Sequence, residues 1–375
     1  MSKFTVKSGK VFDRLVKKQL EIAVKRCLDL PGSKLVKAII LMGSYGRGEG
    51  TALQTSTGLK PFNDYDLVVV GKRMTEFRRK RFQKVLKKLE EEVSEELGIT
   101  VDYFLHTVNS LKRADSSLMN YEMKNGHMVL YGAENILDIM PDYKAVPLRE
   151  ATRLLLNRGK LLLDIQCTLN EYKCIPPRFN LLYRKFLNKM VLAIGDSALL
   201  AFDKYDISYL EKRNLIASTH GMKSSYWLMR EYKRAVDFKL SGDQSFLPED
   251  IEAYFYETKE YFAHFYYWLE SKRLGDEIEN YSKYWRVINS TKINKNFKQK
   301  ARNFIVNVKE FGIEALKSPS WLLRHPRERL FAVFPILLKS KITEWEADLI
   351  HILEGCEGRL NNGITKFYSL RNFYL

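Results

Sequence analysis

Residues 41–70 read LMGSYGRGEGTALQTSTGLKPFNDYDLVVV, and the fold class turns on this stretch. Ala38-Ile39-Ile40-Leu41-Met42 is a short apolar run, the pattern of a buried strand. Gly43-Ser44 ends it. A glycine there allows close backbone approach to a ligand, and a serine at a helix start caps open N–H groups and can bond an anion. Asp64 and Asp66 then open a second apolar run, Leu67-Val68-Val69-Val70. Positions two apart share one face of a strand, so the two carboxylates point together and Tyr65 points away. Carboxylates held that close repel unless a cation lies between them, and a divalent metal is the usual answer.

Other phosphate-binding patterns fit less well. There is no G-x-x-x-x-G-K-[ST] loop, and Gly46, Gly48 and Gly50 do not have the spacing of a dinucleotide fingerprint. A D-x-D by itself also suits a solvated strand end; the strand and Gly-Ser turn upstream favour the metal reading. A strand, then G-S-x-x-R-G, then D-x-D on the next strand resembles the nucleotidyltransferase superfamily of the DNA polymerase β type. That superfamily includes aminoglycoside nucleotidyltransferases, CCA-adding enzymes, poly(A) polymerases and the minimal nucleotidyltransferases of toxin–antitoxin systems. The resemblance implies that Gly43 and Ser44 hold a nucleoside triphosphate, that Arg47 adds charge there, and that Asp64 and Asp66 bind metal. It also calls for a third carboxylate on a later strand. Asp102 is the one acid in the β-prone run Ile99–Leu105, where an unpaired acid is costly to bury; a strand-edge aspartate is the plainer alternative. The segment 122–132, EMKNGHMVLYG, resembles the close of many small family members. The resemblance covers the first 140 or so residues. It departs from the family between Ser44 and Asp64, where Thr51 to Pro61, rich in Thr, Ser and Gly, reads as an inserted loop beside the site.

The chain of 375 residues is long enough for two domains. No run approaches the roughly 18 apolar residues of a membrane span. The N-terminal stretch has no apolar signal core, and the four cysteines, Cys27, Cys167, Cys174 and Cys356, form no C-x-x-C pair. Both features suggest a cytoplasmic protein with reduced thiols. The formal net charge of +17 favours a polyanionic partner such as RNA over the plainer roles of solubility and attraction for a triphosphate.

Along the chain, Val11 to Leu30 reads as a helix, followed by the strand and turn above. Thr75 to Leu97 reads as a long helix, basic in its first half and acidic in its second, against the preference of the helix dipole. Two readings stay open for it: a nucleic-acid backbone track, or a solvated face laced with Glu–Lys pairs. The Asp102 strand, a helix over 110–124 and a strand over 127–131 complete an expected first domain of residues 1–145. From Leu148 onward helical periods take over, so an α+β fold is expected: a catalytic domain with a short mixed sheet, then a helical domain over 146–375. In that region Arg149 to Asn170 and Phe179 to Phe202 read as helices. By a loose resemblance to the helices that follow the catalytic domain in this family, Lys185 and Lys189 are candidate phosphate contacts; an exposed helix face suits them equally. The aromatic residues between Pro248 and Lys272 favour core packing over base stacking. The basic stretch 292–302 suits a nucleic-acid contact or a connector.

The resemblance implies a metal-dependent transfer of a nucleoside monophosphate from a nucleoside triphosphate, ATP among the candidates, with release of pyrophosphate. Asp64, Asp66 and Asp102 would hold two Mg²⁺ ions, with Mn²⁺ a substitute. RNA, tRNA above all, is the first acceptor on charge. The alternatives are a small molecule such as an aminoglycoside, a protein side chain, or a non-catalytic relative that only binds nucleic acid.

Overall fold

The computed structural model describes residues 3–6, 9–56, 58–221, 225–291, 296–312, 316, 318–355 and 359–374. It divides into two compact units, the first made of Met1–Pro147 with Asp203–Phe246, the second of Leu148–Phe202 with Leu247–Leu375.

The first unit begins with α1 (Lys10–Leu28), β1 (Val36–Leu41) and a single helical turn, α2 (Gly43–Gly46). Then come β2 (Ala52–Thr55), β3 (Gly58–Pro61), β4 (Tyr65–Gly71), α3 (Glu76–Leu97) and β5 (Val101–Thr107). It continues through α4 (Val108–Lys112), α5 (Leu118–Asn125) and β6 (Met128–Tyr131). Four strands form a mixed sheet in the order β5-β4-β1-β6; β4 and β5 run parallel, and β1 is antiparallel to β4 and β6. The parallel step needs a crossover, which α3 supplies.

Alternation along the strands gives the sheet two apolar faces. Ile39, Leu41, Leu67, Val69, Val101 and Tyr103 pack with Phe12, Val16 and Leu20 of α1 and Phe82, Leu86 and Leu89 of α3. Ala38, Ile40, Val68 and Val70 pack with Leu111, Met123 and the turn Ile136–Ile139 on the other side. Asp66 and Asp102 share this second face by the same period of two.

Three expectations change. The stretch Thr51 to Pro61 is not an open loop: β2 and β3 pair as an antiparallel hairpin. The helix expected over 110–124 is two helices, because Ser117 caps α5 and Asp115 accepts from Ser117 N–H and Asn120 Nδ2, turning the chain between them. Asp203–Phe246, expected within the helical domain, groups with the first unit. It carries α8 (Tyr209–Ser218) and α9 (Tyr226–Ser241), numbered after α6 (Leu148–Tyr172) and α7 (Asn180–Ala201) of the second unit.

The charge order of α3 is offset locally. Arg79 pairs with Glu76 and Lys88 with Glu92, while Arg26 of α1 reaches Glu92 and Glu96. These pairs match the solvated-face reading.

The second unit is helical throughout its described residues. After α6 and α7 it holds α10 (Ile251–Leu274), α11 (Tyr281–Ser290) and α12 (Phe297–Phe311), then further helices to Tyr374. Tyr254, Phe255, Phe262, Phe265 and Tyr266 of α10 are buried, so most of its aromatic cluster is core. Residues 292–295 of the basic stretch lie outside the described residues, and 297–302 open α12. No helix among the described residues is long and apolar enough to cross a membrane.

Candidate active site

The acidic edge is built by strand register. Asp66 of β4 lies directly opposite Asp102 of β5 in a parallel pair, so the carboxylates start from backbones about 4.8 Å apart. Asp64 precedes β4 and is exposed; Asp66 and Asp102 are half-buried. Among the described residues none of the three carboxylates has a hydrogen-bond or ion-pair partner. Burial first, then Asp64 and Asp102, push the Asp66 carboxyl up to about 6, against the pull of Arg47 and Lys239. Burial, Glu90 and Asp64 raise Asp102 as well, while Lys87 opposes them. The acids repel one another, as the spacing predicts.

Gly43 stands against this edge. Its φ is +66°, and a Cβ there would lie 2.3 Å from Asp66 Oδ2. Both facts exclude any other residue without displacing the carboxylate. Ser44 follows, buried within α2.

Sequence reasoning missed the basic residue nearest this turn. Lys239, near the end of α9, donates from Nζ to Ser44 Oγ at 3.4 Å and lies 4.7 Å from the centroid of the Tyr209 ring. Its backbone is fixed by the hairpin: the Thr51 hydroxyl donates to the Lys239 carbonyl. Phe62, just after β3, meets Phe238 edge-on at 5.8 Å, and the space over Gly242 is taken by Leu53 of β2. The hairpin at 51–61 is therefore the bracket that holds α9 against the Gly-Ser turn.

Arg47, expected to add charge at the phosphates, lies beside two acids. Its side chain is almost fully buried, 3.6 Å from Glu122 and 3.8 Å from Glu49, with Tyr209 against the guanidinium. Glu122 also meets Lys212 at 4.0 Å and accepts from the Tyr205 hydroxyl. Burial opposes its ionisation, but Lys212, Arg47 and Tyr205 together hold its pKa below the usual range. Lys212 is fully buried, donating to Tyr205 Oη at 2.8 Å with its ammonium over the Tyr205 and Tyr209 rings. Glu49 accepts from Ser208 Oγ at 2.7 Å and from the Tyr209 and Leu210 N–H groups at 3.0 and 3.3 Å. It thereby seats the N-terminus of α8, an end that favours an anion.

Lys185 and Lys189 lie on α7 in the second unit, Lys189 exposed and Lys185 half-buried. They are not among the residues gathered in the first unit.

Three aspartates supply hard oxygen donors, and their mutual repulsion without partners suits a divalent cation. Among the described residues no group of three or more His, Cys, Asp or Glu is placed so that together they could hold a metal ion. The donor chemistry of the carboxylates suits a divalent metal.

Residues 20–125 match the family model of the nucleotidyltransferase domain. The chain thus carries a nucleotidyltransferase domain, joined to a helical C-terminal region. The match spans β1, the Gly-Ser turn, β4 and β5, and so includes Gly43, Ser44, Asp64, Asp66 and Asp102. No curated protein matches the chain.

Proposed function

We propose that the chain is a metal-dependent nucleotidyltransferase that moves a nucleoside monophosphate from a nucleoside triphosphate to an acceptor hydroxyl, releasing pyrophosphate. The observation that carries this reading is the register pair Asp66–Asp102, left without partners beside a glycine that only a bare Cα fits. Asp64, Asp66 and Asp102 would hold divalent metal, Mg²⁺ or Mn²⁺ with two ions in the full form. Such ions neutralise triphosphate charge and acidify the acceptor hydroxyl. The protein's own work is positioning and charge. The Ser44 hydroxyl and the Lys239 ammonium meet at the turn and are the groups to grip the phosphates. Asp102, raised above the usual carboxylate range, is suited to accept the acceptor's proton. Arg47 lowers the charge of the acidic edge and, with a buried Nε that has no hydrogen-bond partner, remains a proposed source of positive charge for the phosphates. Lys185 and Lys189 remain proposed phosphate contacts.

The net charge of +17 supports RNA, tRNA in particular, as acceptor, and four cysteines without a C-x-x-C pair suit a cytoplasmic setting for the reaction. A small-molecule or protein acceptor is the second reading, carried by the motif, which is common to enzymes of all these kinds. The test is label transfer with Mg²⁺, each of four α-labelled nucleoside triphosphates, and separate pools of RNA, protein and small molecules. Label on one acceptor class, lost in Asp64→Asn, is the expected result. Transfer that persists in Asp64→Asn overturns the metal assignment.

A further inference from the structure

The helical unit holds a cavity of about 460 Å³ beside α11, lined by Asp276, Lys283, Trp285, Arg286, Asn289 and Ser290 among others. That volume is within the range of small-ligand sites. What sets it apart is the backing of Trp285. Its ring stacks nearly parallel on Trp321, with centroids 5.7 Å apart and planes 9° from each other. Trp321 is buried, its indole N–H donates to Asn289 Oδ1 at 3.1 Å, and the Arg324 guanidinium lies 4.9 Å from its ring centroid. Arg324 is itself tied to the Thr291 carbonyl at 2.7 Å. A column of flat groups, Arg324, Trp321 and Trp285, thus reaches the cavity already fixed. A flat ring held in place on one side costs little entropy when another flat ring stacks on it.

The charges around it suit a phosphate. Lys283 pairs with Asp276 at 3.2 Å, while Arg286 is exposed and has no ion pair among the described residues. Two cations therefore face one acid. Asn289 has its Oδ1 committed to Trp321, and among the described residues no hydrogen bond uses its Nδ2, which leaves an amide donor for a base edge.

We propose that this cavity is a site for one nucleotide of a single-stranded nucleic acid, its base stacked on Trp285 and its phosphate held by Arg286 and Lys283. It goes beyond the transfer chemistry, because it binds nucleic acid whichever acceptor is modified.

The test uses the full-length protein without nucleoside triphosphate or metal, so its outcome does not depend on transfer. Fluorescence anisotropy measures binding of a labelled single-stranded oligoribonucleotide and of the same oligomer with its bases removed. Wild type should prefer the base-bearing oligomer. Trp285→Leu should weaken that oligomer about fivefold or more and leave the abasic one unchanged, since only the base-bearing oligomer can stack on the ring. Trp285→Phe should restore most of the loss. Arg286→Glu, at an exposed position, should weaken both oligomers. Equal binding of the two oligomers by wild type overturns the stacking site even where Trp285→Leu fails to fold. So does normal binding by Arg286→Glu, or equal weakening of both oligomers by Trp285→Leu.

Discussion

Two groups of charged side chains share the first unit and are handled in opposite ways. Arg47, Glu49 and Lys212 are buried or nearly so and Glu122 is half-buried, and each meets an opposite charge, a hydroxyl or a backbone N–H. Asp64, Asp66 and Asp102 carry like charge on neighbouring strands and have no hydrogen-bond or ion-pair partner. The first group is electrostatically closed. It joins the turn after β1, helix α5 and the start of α8, and each member's charge is met within the chain. The second is open, which weakens the unliganded fold and leaves the carboxylates available. A charge satisfied within the chain serves the architecture; a charge left unsatisfied where the backbone allows no alternative marks the place for a cation.

That contrast breaks most sharply at Asp66. Asp66→Asn should lower transfer at least about a thousandfold, roughly 4 kcal/mol of lost transition-state stabilisation, while the melting temperature of the metal-free protein stays level or rises. Parallel activity and thermal-melt measurements check both halves; a large fall in melting temperature would move Asp66 into the closed group. The closed group should answer the other way. Lys212→Met removes the buried ammonium's bond to Tyr205 and leaves half-buried Glu122 with fewer partners, and should cost about 1–3 kcal/mol of stability in denaturant titrations.

The pH dependence sharpens the comparison further. Asp66 ionises near pH 6 when folded, compared with about 4 in an unfolded chain. The folded state therefore holds the proton more tightly. The stability from this group is complete below pH 4 and is lost as pH rises through 6, on the order of 3 kcal/mol in all. Urea titrations of the metal-free protein at pH 4.5 and 7.5 should differ in that direction, and Asp66→Asn should flatten the difference. Added Mg²⁺ should recover stability at the higher pH. The smallest effect on activity is expected at Lys239. Lys239→Ala removes one charged phosphate contact and should reduce kcat/KM by about 10- to 100-fold, or 1.5–3 kcal/mol, with folding unchanged because the bracket bonds its backbone carbonyl.

The acidic edge and the sheet were legible because they depend on short-range rules. A period of two puts Asp64 and Asp66 on one face, and an acid alone in a β-prone run singles out Asp102. The same local reading placed the Tyr65 side chain opposite, where its hydroxyl donates to Gln19. Lys239 was not legible. It is one of 62 Lys and Arg residues, and its partner Ser44 is 195 positions away. Arg47 was read by its motif, and nothing local revealed that Glu122, 75 residues later, would engage it. The hairpin was hidden because its Thr, Ser and Gly residues suit a loop as well as a tight turn. The hairpin's partner, α9, is assigned to the same unit only by long-range contacts.

The split make-up of the first unit also bears on how the protein comes into being. At roughly 5–20 residues per second of synthesis, the Gly-Ser turn waits about 10 to 40 s before the lysine that reaches Ser44 is made. Meanwhile Glu49 has no helix end to seat, and the hairpin has nothing to hold. A nascent chain stopped at Pro147 has the sheet and all three aspartates but neither α8 nor α9, so the site is complete only after the ribosome has also made α6 and α7 of the other unit.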